Sequence, residues 1–74
     1  MWICGREGEV IYWNSLKGYG FIRDTEGYRY FVSYTDILAP SDIFRSLEVG
    51  QKVRFCSNHP ATGDNKATEV EKIE

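Results

Sequence analysis

The stretch Lys17-Gly18-Tyr19-Gly20-Phe21-Ile22 carries the strongest signal in the chain. Side chains on a β-strand alternate between its two faces. Read as a strand, the stretch puts Lys17, Tyr19 and Phe21 on one face, with Arg23 continuing it, and Gly18, Gly20 and Ile22 on the other. Glycines on a core face weaken a strand unless another backbone packs closely against them, as in a tight barrel. The opposite face then offers two aromatic planes flanked by two cations. Unpaired nucleic acid needs that chemistry: flat surfaces for bases and positive charge for phosphates.

Outward from this stretch the pattern repeats. Upstream lies Gly8-Glu9-Val10-Ile11-Tyr12-Trp13, closed by the turn Asn14-Ser15-Leu16-Lys17. Downstream, Asp24-Thr25-Glu26-Gly27 predicts a hairpin loop with Gly27 in the left-handed position. The third run, Tyr28 to Tyr34, gives Arg29, Phe31 and Ser33 one parity and Tyr30, Val32 and Tyr34 the other. Pairing the second and third runs brings Phe31 beside Tyr19 and Phe21. The three runs predict an antiparallel meander.

The remainder is less regular. Thr35 to Gly50 reads as a loop with at most one helical turn, capped at Ser41. Gln51 to Cys56 alternates Val53 and Phe55 with Lys52 and Arg54, a half-buried strand. Lys66 to Ile73 gives a last strand, with Thr68 and Val70 on one face and Glu69 and Glu71 on the other. Apolar residues nowhere hold helical spacing across three turns. The expected fold is an all-β, five-stranded antiparallel barrel in a single domain, with closure removing exposed strand edges. Residues 1–7 read as an N-terminal extension and 8–74 as the domain.

Composition bounds the chemistry. The chain has 74 residues and a net charge of −2, which argues against holding duplex DNA by bulk charge. One histidine and two cysteines exclude a multi-histidine or four-cysteine metal site. Cys56 and His59 have metal-like spacing but lack a full ligand set, so no metal or cofactor is expected. No nucleophile-elbow motif accompanies the scattered serines and acids, so no catalysis is expected. No apolar run approaches the ~20 residues that span a bilayer, and Met1 to Cys4 is too short for a signal-peptide core. The expectation is a cytoplasmic protein with no membrane partner and with Cys4 and Cys56 reduced; the two could pair if the chain were secreted. Eight of the eleven aromatic residues lie between Tyr12 and Tyr34. One small core does not readily bury them all, and an exposed aromatic cluster marks a binding surface. The competing interpretation is that they are barrel core and cross-strand packing.

These motifs resemble the cold-shock domain family from Gly8 to about Ile73. Lys17 to Ile22 is similar to that family's first ribonucleoprotein motif, and Tyr30-Phe31-Val32-Ser33-Tyr34 to its second. Gly8 to Asn14 resembles its opening strand, and Leu47 to Phe55 its fourth-strand entry. The resemblance implies an oligonucleotide-binding barrel that stacks single-stranded RNA or DNA without a cofactor and acts as an RNA chaperone or regulator of transcription or translation. Carried over by motif, the stacking residues are Tyr12, Tyr19, Phe21, Phe31 and Tyr34, with Lys17 near the backbone and Arg29 and Ser33 on the same face. Phe44 resembles the aromatic that the family carries after its third strand. Tyr12 and Trp13 stand where the family has tryptophan and phenylalanine, Ile11 where it often has lysine, and Ser33 where it has histidine. These departures predict weaker or altered binding. They also motivate an alternative: a protein-interaction or self-association module, a homodimer, on the same barrel. Plain alternation puts Tyr12 with Val10 in the core, so an outward Tyr12 requires a bulge or strong twist. The first motif also occurs in RNA-recognition motifs, but that fold needs two amphipathic helices and the opposite motif order.

Overall fold

The computed structural model describes residues 2–38, 47–58 and 65–73. Five strands form a closed barrel: β1 (Trp2–Asn14), β2 (Tyr19–Asp24), β3 (Arg29–Ser33), β4 (Lys52–Asn58) and β5 (Asn65–Lys72). The order around the barrel is β1-β2-β3-β5-β4, with β4 returning to β1. All pairings are antiparallel except a short parallel contact between β3 and β5, Tyr30 with Asn65 and Phe31 with Lys66. That contact closes the sheet.

The meander forms because each run alternates and each connection has its turn chemistry. Asn14 Oδ1 accepts from the N–H groups of Leu16 and Lys17. Asp24 organises the next hairpin: its Oδ1 accepts from the N–H groups of Glu26 and Tyr28, and Gly27 takes the expected left-handed backbone at φ 97°. Val10, Ile22, Val32, Val53, Phe55, Ala67 and Val70 fill the interior, with Ile37 and Leu47 beside them. Each large apolar side chain sealed there contributes ~1.5–3 kcal/mol. Tyr30 is the one wholly buried tyrosine, and its hydroxyl donates to Asp24 Oδ2 at 2.7 Å.

Gly20 meets the expected close approach. A Cβ there would collide with the Tyr12 carbonyl and the Trp13 ring. Trp13 thereby lies across the glycine and packs against the core.

Three expectations are corrected. The third strand ends at Ser33, and a 3₁₀ turn follows at Tyr34–Asp36, capped by the Ser33 side chain. Ser41, the expected cap, lies outside the described residues. On β5, Ala67 and Val70 are the buried pair, because Glu69 takes φ 50° and two residues oppose one across β4. Thr68 and Val70 therefore do not share a face. Cys4 and Cys56 are not free thiols but a disulfide spanning 52 positions of chain. Their pairing follows from register. β1 extends back to Trp2 along β4, and a shift between Ile3 and Arg6 sets Cys4 opposite Cys56 with their Cα atoms 3.9 Å apart.

Candidate nucleic-acid interface

The face outside β1, β2 and β3 is built in rows by strand register. The central row reads Tyr12, Phe21, Phe31 and then Lys66 on β5, each side chain opposite the next. One neighbouring row reads Asn14, Tyr19 and Ser33. The other reads Lys52, Glu9, Arg23 and Arg29. Three rings in line, a fourth beside them and cations at the margins make a platform.

The bulge required for Tyr12 is present. The β1–β2 register shifts between Val10 and Tyr12, so Ile11 is the extra residue. Val10 stays buried, whereas Tyr12 turns outward and is 43 % exposed. Ile11 absorbs the irregularity and is half-buried.

The four rings touch in a continuous chain. Tyr12 lies 6.3 Å from Tyr19 and 6.1 Å from Phe21, centroid to centroid. Phe31 lies 5.7 Å from Tyr19, nearly parallel to it, and 6.0 Å from Phe21, edge-on. Phe31 stays 37 % exposed. These separations suit mutual support among rings while leaving faces open to a further planar group.

The other sequence-predicted residues fall around this cluster. Tyr34 would have joined Tyr30 and Val32 inside had the strand continued. The 3₁₀ turn instead rotates it out, and its ring lies where a Gly18 Cβ would stand. Lys17 is exposed in the β1–β2 turn, and Gly18 joins that turn to Tyr34 through a 2.8 Å backbone hydrogen bond. Arg29 is exposed one row from the rings, opposite Arg23. Ser33 is on the face but engaged: its Oγ accepts from Thr35 N–H. Phe44 lies outside the described residues.

Lys66 is the residue that sequence reading missed. It extends the central row beyond Phe31, with Nζ 5.3 Å from that ring's centroid and 2.6 Å from Asp36 Oδ2. Its only sequence signal is its exposed parity on β5. The partner strand lies 35 positions away (Phe31 to Lys66) and pairs in parallel. A concavity of about 600 Å³ adjoins the row of Lys52, Glu9 and Arg23, which help to line it, and includes none of the four rings.

A five-stranded barrel with an outward aromatic row is accompanied by direct sequence similarity. The family described as the 'Cold-shock' DNA-binding domain matches residues 6–73. The chain belongs to the cold-shock domain family.

Among its relatives are Cold shock protein CspC of Bacillus subtilis, 41 % identical over 82 % of this chain and 89 % of that protein. Probable cold shock protein A of Mycobacterium tuberculosis is 40 % identical over 90 % of this chain and 97 % of its own length. Cold shock protein 1 of Lactiplantibacillus plantarum is 38 % identical over 88 % of this chain and 96 % of its own length. The fold is accordingly the oligonucleotide-binding barrel of the cold-shock domain, and its function is nucleic-acid binding. Among the described residues, no helix is long and apolar enough to cross a membrane.

Proposed function

We propose that this cold-shock domain binds single-stranded RNA or DNA by stacking successive bases on Tyr12, Tyr19, Phe21, Phe31 and Tyr34. Lys17 and Arg29 attract the backbone, Ser33 borders the rings, and Phe44 adds a further ring from its connection. The observation that carries this reading is the unbroken, outward-facing cluster of Tyr12, Tyr19, Phe21 and Phe31 across three strands. A duplex hides its base planes in the stack, whereas an unpaired strand presents them. The platform therefore favours open RNA, and by mass action it shifts weak RNA structure toward the open form. This is an RNA-chaperone role without catalysis, cofactor or membrane partner. Residues 8–74 carry the activity, with residues 1–7 as an N-terminal extension.

Each stacked base contributes ~1–3 kcal/mol by alanine substitution. Fluorescence titration with a pyrimidine heptamer tests the reading. Phe31→Ala should weaken binding about tenfold or more, and Phe21→Ala should act in the same direction. Both should leave the barrel folded, because neither ring is in the core. Unchanged affinity in both variants removes the platform as the site. A dimer that hides Tyr19 and Phe21 and ignores the oligonucleotide would favour self-association instead.

A further inference from the structure

Lys66 and Asp36 carry an inference that rests on the stacking reading and goes beyond it. Lys66 stands at the end of the ring row, opposite Phe31 across the β3–β5 contact, with its side chain 47 % exposed. Its ammonium reaches over the Phe31 ring and ends against Asp36 Oδ2 at 2.6 Å. The carboxylate is held from behind. Asp36 closes the capping box of the 3₁₀ turn, and the same Oδ2 accepts from Ser33 N–H at 3.2 Å. Asp36 is far less exposed than its partner, at 15 %. One member of the pair is therefore anchored and the other is free to swing.

A base lying on Phe31 brings its phosphate to the margin of that ring, where the only cation of the central row stands. We propose that Lys66 is a phosphate ligand of the nucleotide stacked on Phe31, and that Asp36 is an internal competitor that holds the ammonium until a phosphate displaces it. The carboxylate and the phosphate oxygens are the same kind of partner for an ammonium group, two anionic acceptors competing for one donor. Asp36 thus sets affinity and salt dependence without touching the strand. It is a positioning residue, acting through Lys66.

The test uses the full chain and oligo(dT) of seven nucleotides, titrated across a series of salt concentrations. Asp36→Asn keeps an oxygen that can accept from Ser33 N–H, so the turn retains its cap while the competing charge is lost. This variant should bind roughly fivefold more tightly at low salt, about the upper worth of an exposed ion pair. Its plot of log affinity against log salt should steepen by about 0.7, because binding still releases the phosphate's counterion while no Asp36 carboxylate is left to take up a cation in exchange. Lys66→Gln should weaken binding and should not gain that slope. Asp36→Asn made in the Lys66→Gln background should change neither quantity, which separates release of Lys66 from a general change in net charge. An Asp36→Asn effect that persists without Lys66, or a Lys66→Gln variant that binds more tightly than the parent, overturns the proposal. If Phe31→Ala abolishes binding while Asp36→Asn and Lys66→Gln both match the parent, this inference fails and the stacking reading stands. If the parent chain ignores the oligonucleotide, both fail together.

Discussion

At the scale of single residues, buried and exposed aromatics have opposite tasks. Tyr30 is sealed in the barrel with its hydroxyl on Asp24 Oδ2, and the Arg6 guanidinium lies over its ring and 3.5 Å from the same carboxylate. Burial, reinforced by the Asp24 carboxylate, pushes the Tyr30 phenol up to about 12. The unfolded chain releases that proton near pH 10, so the stabilisation is fully present below about pH 10 and is lost as pH rises toward 12. At neutral pH, Tyr30→Phe should cost about 1.5–3 kcal/mol, because the Asp24 carboxylate loses a buried donor. Denaturant titrations of both proteins should show this gap narrowing between pH 10 and pH 12. A gap that stays constant with pH would show that Tyr30 ionises alike in the folded and unfolded chains. The parity of Tyr19, Phe21 and Phe31 was legible from the sequence because a strand alternates whatever surrounds it, whereas Lys17 lies in the turn before β2, where the left-handed Gly18 at φ 76° ends the alternation. The inward position of Tyr30 was legible for the same reason, but its link to Asp24 was not. That bond depends on the hairpin bringing residues 24 and 30 side by side inside the barrel.

At the scale of elements, irregularities decide what the alternation presents. The bulge at Ile11 turns Tyr12 out, the 3₁₀ turn after Ser33 turns Tyr34 out, and the left-handed Glu69 moves the buried position on β5 from Thr68 to Ala67. The first of these could be stated as a requirement, because Val10 and Tyr12 cannot both face inward if Tyr12 stacks. The other two left no local signal, since a threonine or a tyrosine fits either parity. Gly20 is the element-scale feature most open to test. A methyl group there would meet the Tyr12 carbonyl and the Trp13 ring, and the backbone oxygen cannot move without breaking the β1–β2 pairing. Gly20→Ala should destabilise the domain by about 1–3 kcal/mol, the usual cost of overpacking. Thermal unfolding reads this directly. A melting temperature equal to the parent's would mean that the two strands have room to separate at that point.

For the whole molecule, closure is the governing event. The β3–β5 contact closes the barrel and sets Lys66 beside Phe31; the β1–β4 pairing sets Cys4 beside Cys56. The disulfide spans 52 positions, and a crosslink enclosing a loop of that size removes about 4 kcal/mol of unfolded-state entropy in the simplest chain model. Reduction with excess dithiothreitol should therefore lower the denaturant midpoint substantially, and a Cys4→Ala/Cys56→Ala chain should match the reduced parent. Binding by the platform should survive reduction, since neither cysteine lies in the ring rows. A reduced domain as stable as the oxidised one would show that the barrel alone closes the chain.

Local alternation, turn residues and ring-cation parity told of five short strands, of an outward aromatic face and of the ligand class that such a face suits. These properties arise within a few neighbouring residues, so they could be read in order along the chain. The disulfide, the Lys66–Asp36 pair and the buried Tyr30–Asp24 bond could not, because each joins groups that meet only when the barrel closes or a hairpin folds over. Long-range register depends on the packing of the entire interior, and no single segment contains that information.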